Sequence, residues 1–146
     1  MRTWQAAYEH VFGAEQLARI TPKQRLPMWK NILGASEVTA FVADDDGVVV
    51  GIATVGPSRD EDAQGEVYAI YVEPKAWGSG AGPALMRACV AALKAGGHRD
   101  AILWVLEDNP RARRFYEREG WSLDGERREG EHLGVQTAEI RYSIEL

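Results

Sequence analysis

Hydrophobic positions recur every three or four residues near the start of the chain, and every two residues or in unbroken runs from residue 38 onward. In RTWQAAYEHVFG (residues 2–13), Trp4, Ala7, Tyr8, Val11 and Phe12 fall at helical spacing, which predicts an amphipathic helix stopped by Gly13. Thr21-Pro22 pairs a capping residue with a proline suited to a first turn. It predicts a second helix running through Trp29 to Leu33-Gly34, with Pro27 either kinking it or delaying its start. After residue 38 the period changes: VTAFVAD and VVVGIATV are rich in β-branched residues and joined by Asp44-Asp45-Asp46-Gly47, which predicts a hairpin. Residues 57–65 (PSRDEDAQG) read as a polar loop and EVYAIYV (66–72) as a strand. Residues 83–94 predict a helix with Leu85, Met86, Cys89, Val90 and Leu93 on its core face, ended by Gly96-Gly97.

AILWVL (101–106) is apolar throughout, as a central strand covered on both faces should be. Asp108-Asn109-Pro110 caps a short helix, RARRFYERE, which Gly120 closes before Trp121 begins another strand. In TAEIRYSIEL (137–146), apolar Ile140, Tyr142, Ile144 and Leu146 alternate with polar Glu139, Arg141, Ser143 and Glu145, the pattern of a half-exposed strand. Neither a repeat nor a linker divides the chain, so one domain over residues 1–146 is expected.

With 45% hydrophobic and 27% charged residues, the 146-residue chain has an ordinary globular composition. Its formal net charge of −5 argues against nucleic acid or an anionic membrane as partner and favours a cationic small molecule. The lone Cys89 cannot form an internal disulfide, and neither a signal peptide nor an apolar run of about 18 residues is evident, so a cytoplasmic protein is expected. His10, His98 and His132 lack ligand spacing, and the aspartate turn lacks a calcium-loop pattern, so no metal is expected.

The stretch WGSGAGPALM (77–86) carries the chemistry. A strand, glycines and then a helix make an anion site, because N–H groups at a helix start have no intrahelical partner and the helix dipole adds about half a positive charge there. The dinucleotide fingerprint fails, since Pro83 stands where a third glycine belongs, and the nucleotide P-loop fails for want of a lysine after Gly82. Trp77-Gly78-Ser79-Gly80-Ala81-Gly82 instead resembles the acetyl-CoA pyrophosphate loop of the GNAT superfamily of N-acetyltransferases, Q/R-x-x-G-x-G/A, matching at Gly80 and Gly82. Trp77 departs from the usual Gln or Arg, which leaves the backbone cradle but puts a side-chain ion pair from that position in doubt, with Ser79 as a hydroxyl alternative.

The surroundings carry the same resemblance. Ile70-Tyr71-Val72-Glu73-Pro74 matches the family's strand end before the loop, and NPRARRFYEREGW (109–121) matches its Asn, helix, Tyr, Gly and aromatic in order and spacing. The resemblance spans residues 38–146, with the N-terminal helices similar to the family's first two. It implies an α/β fold with a mixed, largely antiparallel central sheet flanked by helices, and one parallel strand pair opening onto acetyl-CoA. The family's first strand is expected to be missing, because Met1 stands almost at the first helix; that would leave a sheet edge open to a partner and allows a homodimer.

By resemblance, the co-substrate contacts fall on Ile70, Tyr71, Val72, Trp77, Gly78, Ser79, Gly80, Ala81, Gly82, Pro83, Asn109, Ala112 and Tyr116. Val72 backbone groups would pair with the pantetheine arm, and Asn109 would bond it or cap its helix. Tyr116 matches the tyrosine that protonates the departing thiolate, and Glu66 falls where many members place a base; a surface carboxylate is the competing reading. Cys89 lies on a helix's apolar stripe and is disfavoured as a nucleophile. Trp4, Tyr8 and Trp29 are read as core residues, although the corresponding family helices wall the acceptor site. The implied activity is acetyl transfer to a primary amine of a small molecule or peptide, with a non-catalytic acyl-CoA-binding module as the alternative. A nucleotide-binding protein is third.

Overall fold

The computed structural model describes residues 5, 8–9, 12–132 and 135–146, and the backbone alone at Gln16 and His132. Trp4, Ala7, His10 and Val11, and the question of a strand before the first helix, lie outside the described residues. Tyr8 and Phe12 are helical, and Gly13 follows with a φ of 75°. A short helix that the periodicity did not predict comes next, α1 (Ala14–Ala18), which buries Leu17. Five residues are too few to display a helical period.

Helix α2 (Pro22–Gly34) begins with a capping box: the Thr21 hydroxyl accepts from Gln24 N, while the Gln24 side chain accepts from Thr21 N. Pro27 sits inside this helix without delaying its start. None of its residues is buried, and Leu26, Met28 and Leu33 are exposed.

Six strands follow in the described chain: β1 (Thr39–Asp45), β2 (Val48–Pro57), β3 (Gly65–Val72), β4 (Asp100–Leu106), β5 (Ser122–His132) and β6 (Val135–Glu145). They form one mixed sheet in the order β1-β2-β3-β4-β6-β5, antiparallel throughout except for β3 beside β4. The predicted hairpin is β1 and β2, and the apolar run 101–106 is the central β4. Helix α3 (Ala81–Ala95) lies between β3 and β4 in sequence and buries Leu85, Met86, Cys89 and Leu93. That burial contributes roughly 1.5–3 kcal/mol for each large side chain. Helix α4 (Pro110–Arg118) follows β4, capped by Asn109, whose Oδ1 accepts from Ala112 N at 3.1 Å.

The polar face expected for β6 is not uniformly solvated. Arg141 is buried, held by Asp60, Asp62 and Asp124 at 2.7–3.1 Å. Alternation placed it on the outer face, but the loop between β2 and β3 folds over that face and supplies two of the carboxylates.

Candidate active site

The site begins where two strands stop pairing. The parallel ladder between β3 and β4 holds at Gly65↔Ala101 and Glu66↔Ile102 and goes no further. One residue beyond, the β2–β3 register slips: Val55 pairs with Val67 but Thr54 with Ala69, so Tyr68 is the extra residue of a β-bulge. Bulges bend and twist the strand that carries them, and here the bend directs β3 away from β4. A cleft of about 870 Å³ fills the gap, lined by β3 from Val67 to Val72 and by Trp104, Val105 and Leu106 of β4. Strand backbone facing such a gap needs hydrogen-bond partners from whatever enters it.

At one end of the cleft stands the glycine turn. Gly78 and Gly80 have φ values of 78° and 95°, and Gly80 is the N-cap of α3. A side chain at Gly80 would meet nothing within 4 Å, so the positive φ alone requires glycine there. Gly82 serves differently: a Cβ would come within 3.3 Å of the Phe115 ring, so its bare backbone lets α3 approach α4. Pro83 lies in the first turn, where its missing N–H costs the helix nothing.

Of the residues expected to contact the co-substrate, Ile70, Tyr71, Val72, Trp77, Gly78, Gly80, Gly82, Pro83, Asn109, Ala112 and Tyr116 line this cleft. Ser79 and Ala81 do not. The Ser79 hydroxyl donates to Ala76 O at 2.7 Å and accepts from Ala81 N, so it closes the turn rather than facing a ligand. The Val72 carbonyl already accepts the Trp77 indole N–H at 2.9 Å.

Glu66 is not in the cleft. Its side chain is 1% exposed and bound on both oxygens by Arg59: the backbone N–H and Nε each donate to Oε2 at 3.0 Å, and Nε and Nη2 donate to Oε1. The competing reading of a surface carboxylate does not hold, because the β2–β3 loop brings Arg59, seven residues earlier, back onto the strand over Glu66. That guanidinium also lies over the Tyr68 ring, and Glu66 holds its pKa above the ordinary value.

Tyr116 is buried, and no hydrogen bond to its hydroxyl is formed among the described residues. Burial raises its pKa, with smaller contributions from Tyr8 and Cys89, so the phenol keeps its proton. Tyr8 and Tyr71, whose rings meet edge to face, reach the same cleft, and both are raised chiefly by desolvation. Tyr8 is therefore a cleft residue, while Trp29 is not among its lining. Cys89 is fully buried, and desolvation pushes its thiol up to about 12, which suits packing and not nucleophilic attack. No group of three or more His, Cys, Asp or Glu set to hold a metal occurs among the described residues.

The chain matches the Acetyltransferase (GNAT) family over residues 3–121, well over half its length. It belongs to that family. Among its relatives, the uncharacterized N-acetyltransferase YuaI of Bacillus subtilis is 33% identical over 111 residues, covering 74% of this chain and 62% of YuaI. The mycothiol acetyltransferase of Actinosynnema mirum is 45% identical over 64 residues, or 44% of this chain and 22% of that protein. This GNAT chain thus spans less than two thirds of the length of these relatives. A similar solved structure is the PaiA N-acetyltransferase of Thermoplasma acidophilum in complex with coenzyme A, with a TM-score of 0.71, 14% identity, and coverage of 99% of this chain and 87% of that one. At that identity the likeness concerns the fold. No helix among the described residues is long and apolar enough to cross a membrane.

Proposed function

We propose that this chain transfers an acetyl group from acetyl-CoA to a primary amine by direct attack in a ternary complex, in the cytoplasm. The observation that carries the reading is the parting of β3 from β4 into a cleft lined by the glycine turn and by Tyr116. The residues fit the co-substrate: positive-φ glycines leave the turn without side chains where phosphates would approach, and the parted strands offer backbone groups to an amide-bearing arm. Acetyl-CoA supplies an activated acyl carbon. The coenzyme A bound to the Thermoplasma protein supports this assignment.

Tyr116 acts as proton donor to the departing thiolate. A raised phenol pKa makes it a weak acid in water, but a thiolate leaving within the same interior also gains proton affinity. The buried Cys89 thiol shifts in the same direction for the same reason, desolvation. With Glu66 engaged by Arg59, the attacking amine loses its proton to water in the cleft. The net charge of −5 supports a cationic acceptor, and the likeness to mycothiol acetyltransferases puts thiol-bearing small amines on the panel to be tried.

The test is thiol release from acetyl-CoA measured across small amines, polyamines and peptide N-termini. Turnover with at least one amine, retained in Cys89→Ala, is expected. Tight CoA binding with no turnover on any amine would replace this reading with a non-catalytic acyl-CoA-binding module.

A further inference from the structure

Arg111, the second residue of α4, lies with its guanidinium directly over the ring of Trp77, the residue preceding the glycine turn. Both residues line the cleft. The Trp77 ring is itself fixed, because its indole N–H is bonded to the Val72 carbonyl at the end of β3. Among the described residues Arg111 has no acidic partner. Arg59, Arg127, Arg128 and Arg141, by contrast, are each ion-paired.

Desolvation alone pulls the Arg111 pKa below its ordinary value, with no carboxylate drawing it back. The start of α3 adds a second positive end to the same cleft, through first-turn N–H groups and the helix dipole. Asp108 and Glu119 also line the cleft, but neither is ion-paired with Arg111, and an entering anion can be held by the guanidinium and the helix start together. Stacking on the indole restricts the guanidinium to a plane and leaves its N–H edge free to donate in bidentate fashion to phosphate oxygens.

Resting on the acetyl-CoA reading above, we infer that Arg111, held by Trp77, is a binding residue for the diphosphate of the co-substrate. It closes over that group from α4 while the glycine turn holds it from α3. Trp77 has no charge to contribute and acts as a positioning residue for Arg111.

Calorimetry with CoA, dephospho-CoA and pantetheine on the parent protein, Arg111→Ala, Arg111→Lys, Trp77→Ala and the Trp77→Ala/Arg111→Ala pair tests this. Expected for Arg111→Ala is a loss of about tenfold or more for both CoA and dephospho-CoA, with pantetheine unaffected and a shallower salt dependence of CoA binding. Arg111→Lys should recover part of the loss, since charge returns without the planar fork. Trp77→Ala should weaken CoA in the parent but add little once Arg111 is gone, because the two act as a unit. Unchanged CoA affinity in Arg111→Ala would reduce the stack to surface packing. A loss confined to CoA and absent with dephospho-CoA would move the guanidinium to the 3′-phosphate and overturn the diphosphate assignment. Failure of the parent protein to bind CoA would instead refute the underlying function.

Discussion

Tyr116→Phe removes one hydroxyl and leaves a ring packed 5.4 Å from Phe115 and 6.0 Å from Tyr142, centroid to centroid. Packing should survive, so acetyl-CoA affinity should change by less than about tenfold while kcat falls by on the order of 10²-fold or more. A thioester with a more acidic leaving thiol should regain part of the rate. An equal defect for good and poor leaving groups would return Tyr116 to a packing role. At Glu66 the expected effect is one of stability. Glu66→Gln leaves Arg59 behind, but that side chain is 61% exposed and can return to water, so the loss should be about 2 kcal/mol. Arg59→Ala removes the guanidinium from a carboxylate that is 1% exposed, leaving it the backbone N–H of residue 59, and should cost more, about 3–5 kcal/mol. Urea titrations rank the two. Equal costs would mean that water already reaches Glu66. Because Glu66 is not the base in this reading, the pH–rate profile of Glu66→Gln should parallel that of the parent, and selective loss at low pH would restore its catalytic assignment. The placement of Tyr116 beside the cleft was legible because its neighbours lie along one helix. The pairing of Glu66 was not, because it depends on a loop residue that spacing does not bring to the strand.

Helix α3 depends on how it starts. Gly80 caps it at a φ of 95° in open space, so Gly80→Ala introduces backbone strain and no clash, at roughly 1–2 kcal/mol. Because that strain acts on the turn facing the diphosphate, CoA affinity should also fall, by about tenfold. Thermal unfolding and calorimetry together check this. A variant with weakened CoA binding and unchanged stability would show that the added methyl obstructs the ligand, and a variant unaltered in both would remove any need for glycine there. Helix ends were the most legible elements, since caps are local chemistry: Thr21 with Gln24, and Asn109 with Ala112, are hydrogen-bonded within three residues. The short α1 has too few residues to show a period, and the bulge at Tyr68 lies in an apolar run, VYAIYV, with no alternation for it to interrupt.

Across the whole molecule, Arg141 of β6 joins the loop after β2 to β5 by holding Asp60, Asp62 and Asp124 at once. Asp60 also accepts the Trp104 indole N–H at 3.0 Å, so this clasp reaches the cleft wall. Arg141→Met leaves three neighbouring carboxylates without their cation and should lower Tm by on the order of 5–10 °C, less at high salt, which screens their repulsion. The pH dependence has a definite sign. Arg141 holds the Asp62 carboxyl below its ordinary 3.8, so the stability from this contact is present above that pH and is lost as pH falls below it. The parent should therefore destabilise more steeply in acid than Arg141→Met, and parallel acid limbs in calorimetry would mean the clasp contributes nothing.

The sequence by itself determined the α/β class, the order of the main elements, the glycine turn and the helix bearing Tyr116, because each rests on contacts within a few residues or on a period that burial imposes along one strand or helix. Only the tertiary structure decided what those elements enclose. Where β3 leaves β4, that Glu66 belongs to Arg59, that Arg141 is buried on a nominally polar face, and that Arg111 stands over Trp77 are all relations between segments up to 81 residues apart. Neither propensity nor periodicity carries information across such separations. These side chains meet their partners only where the folded sheet and its loops bring the segments together.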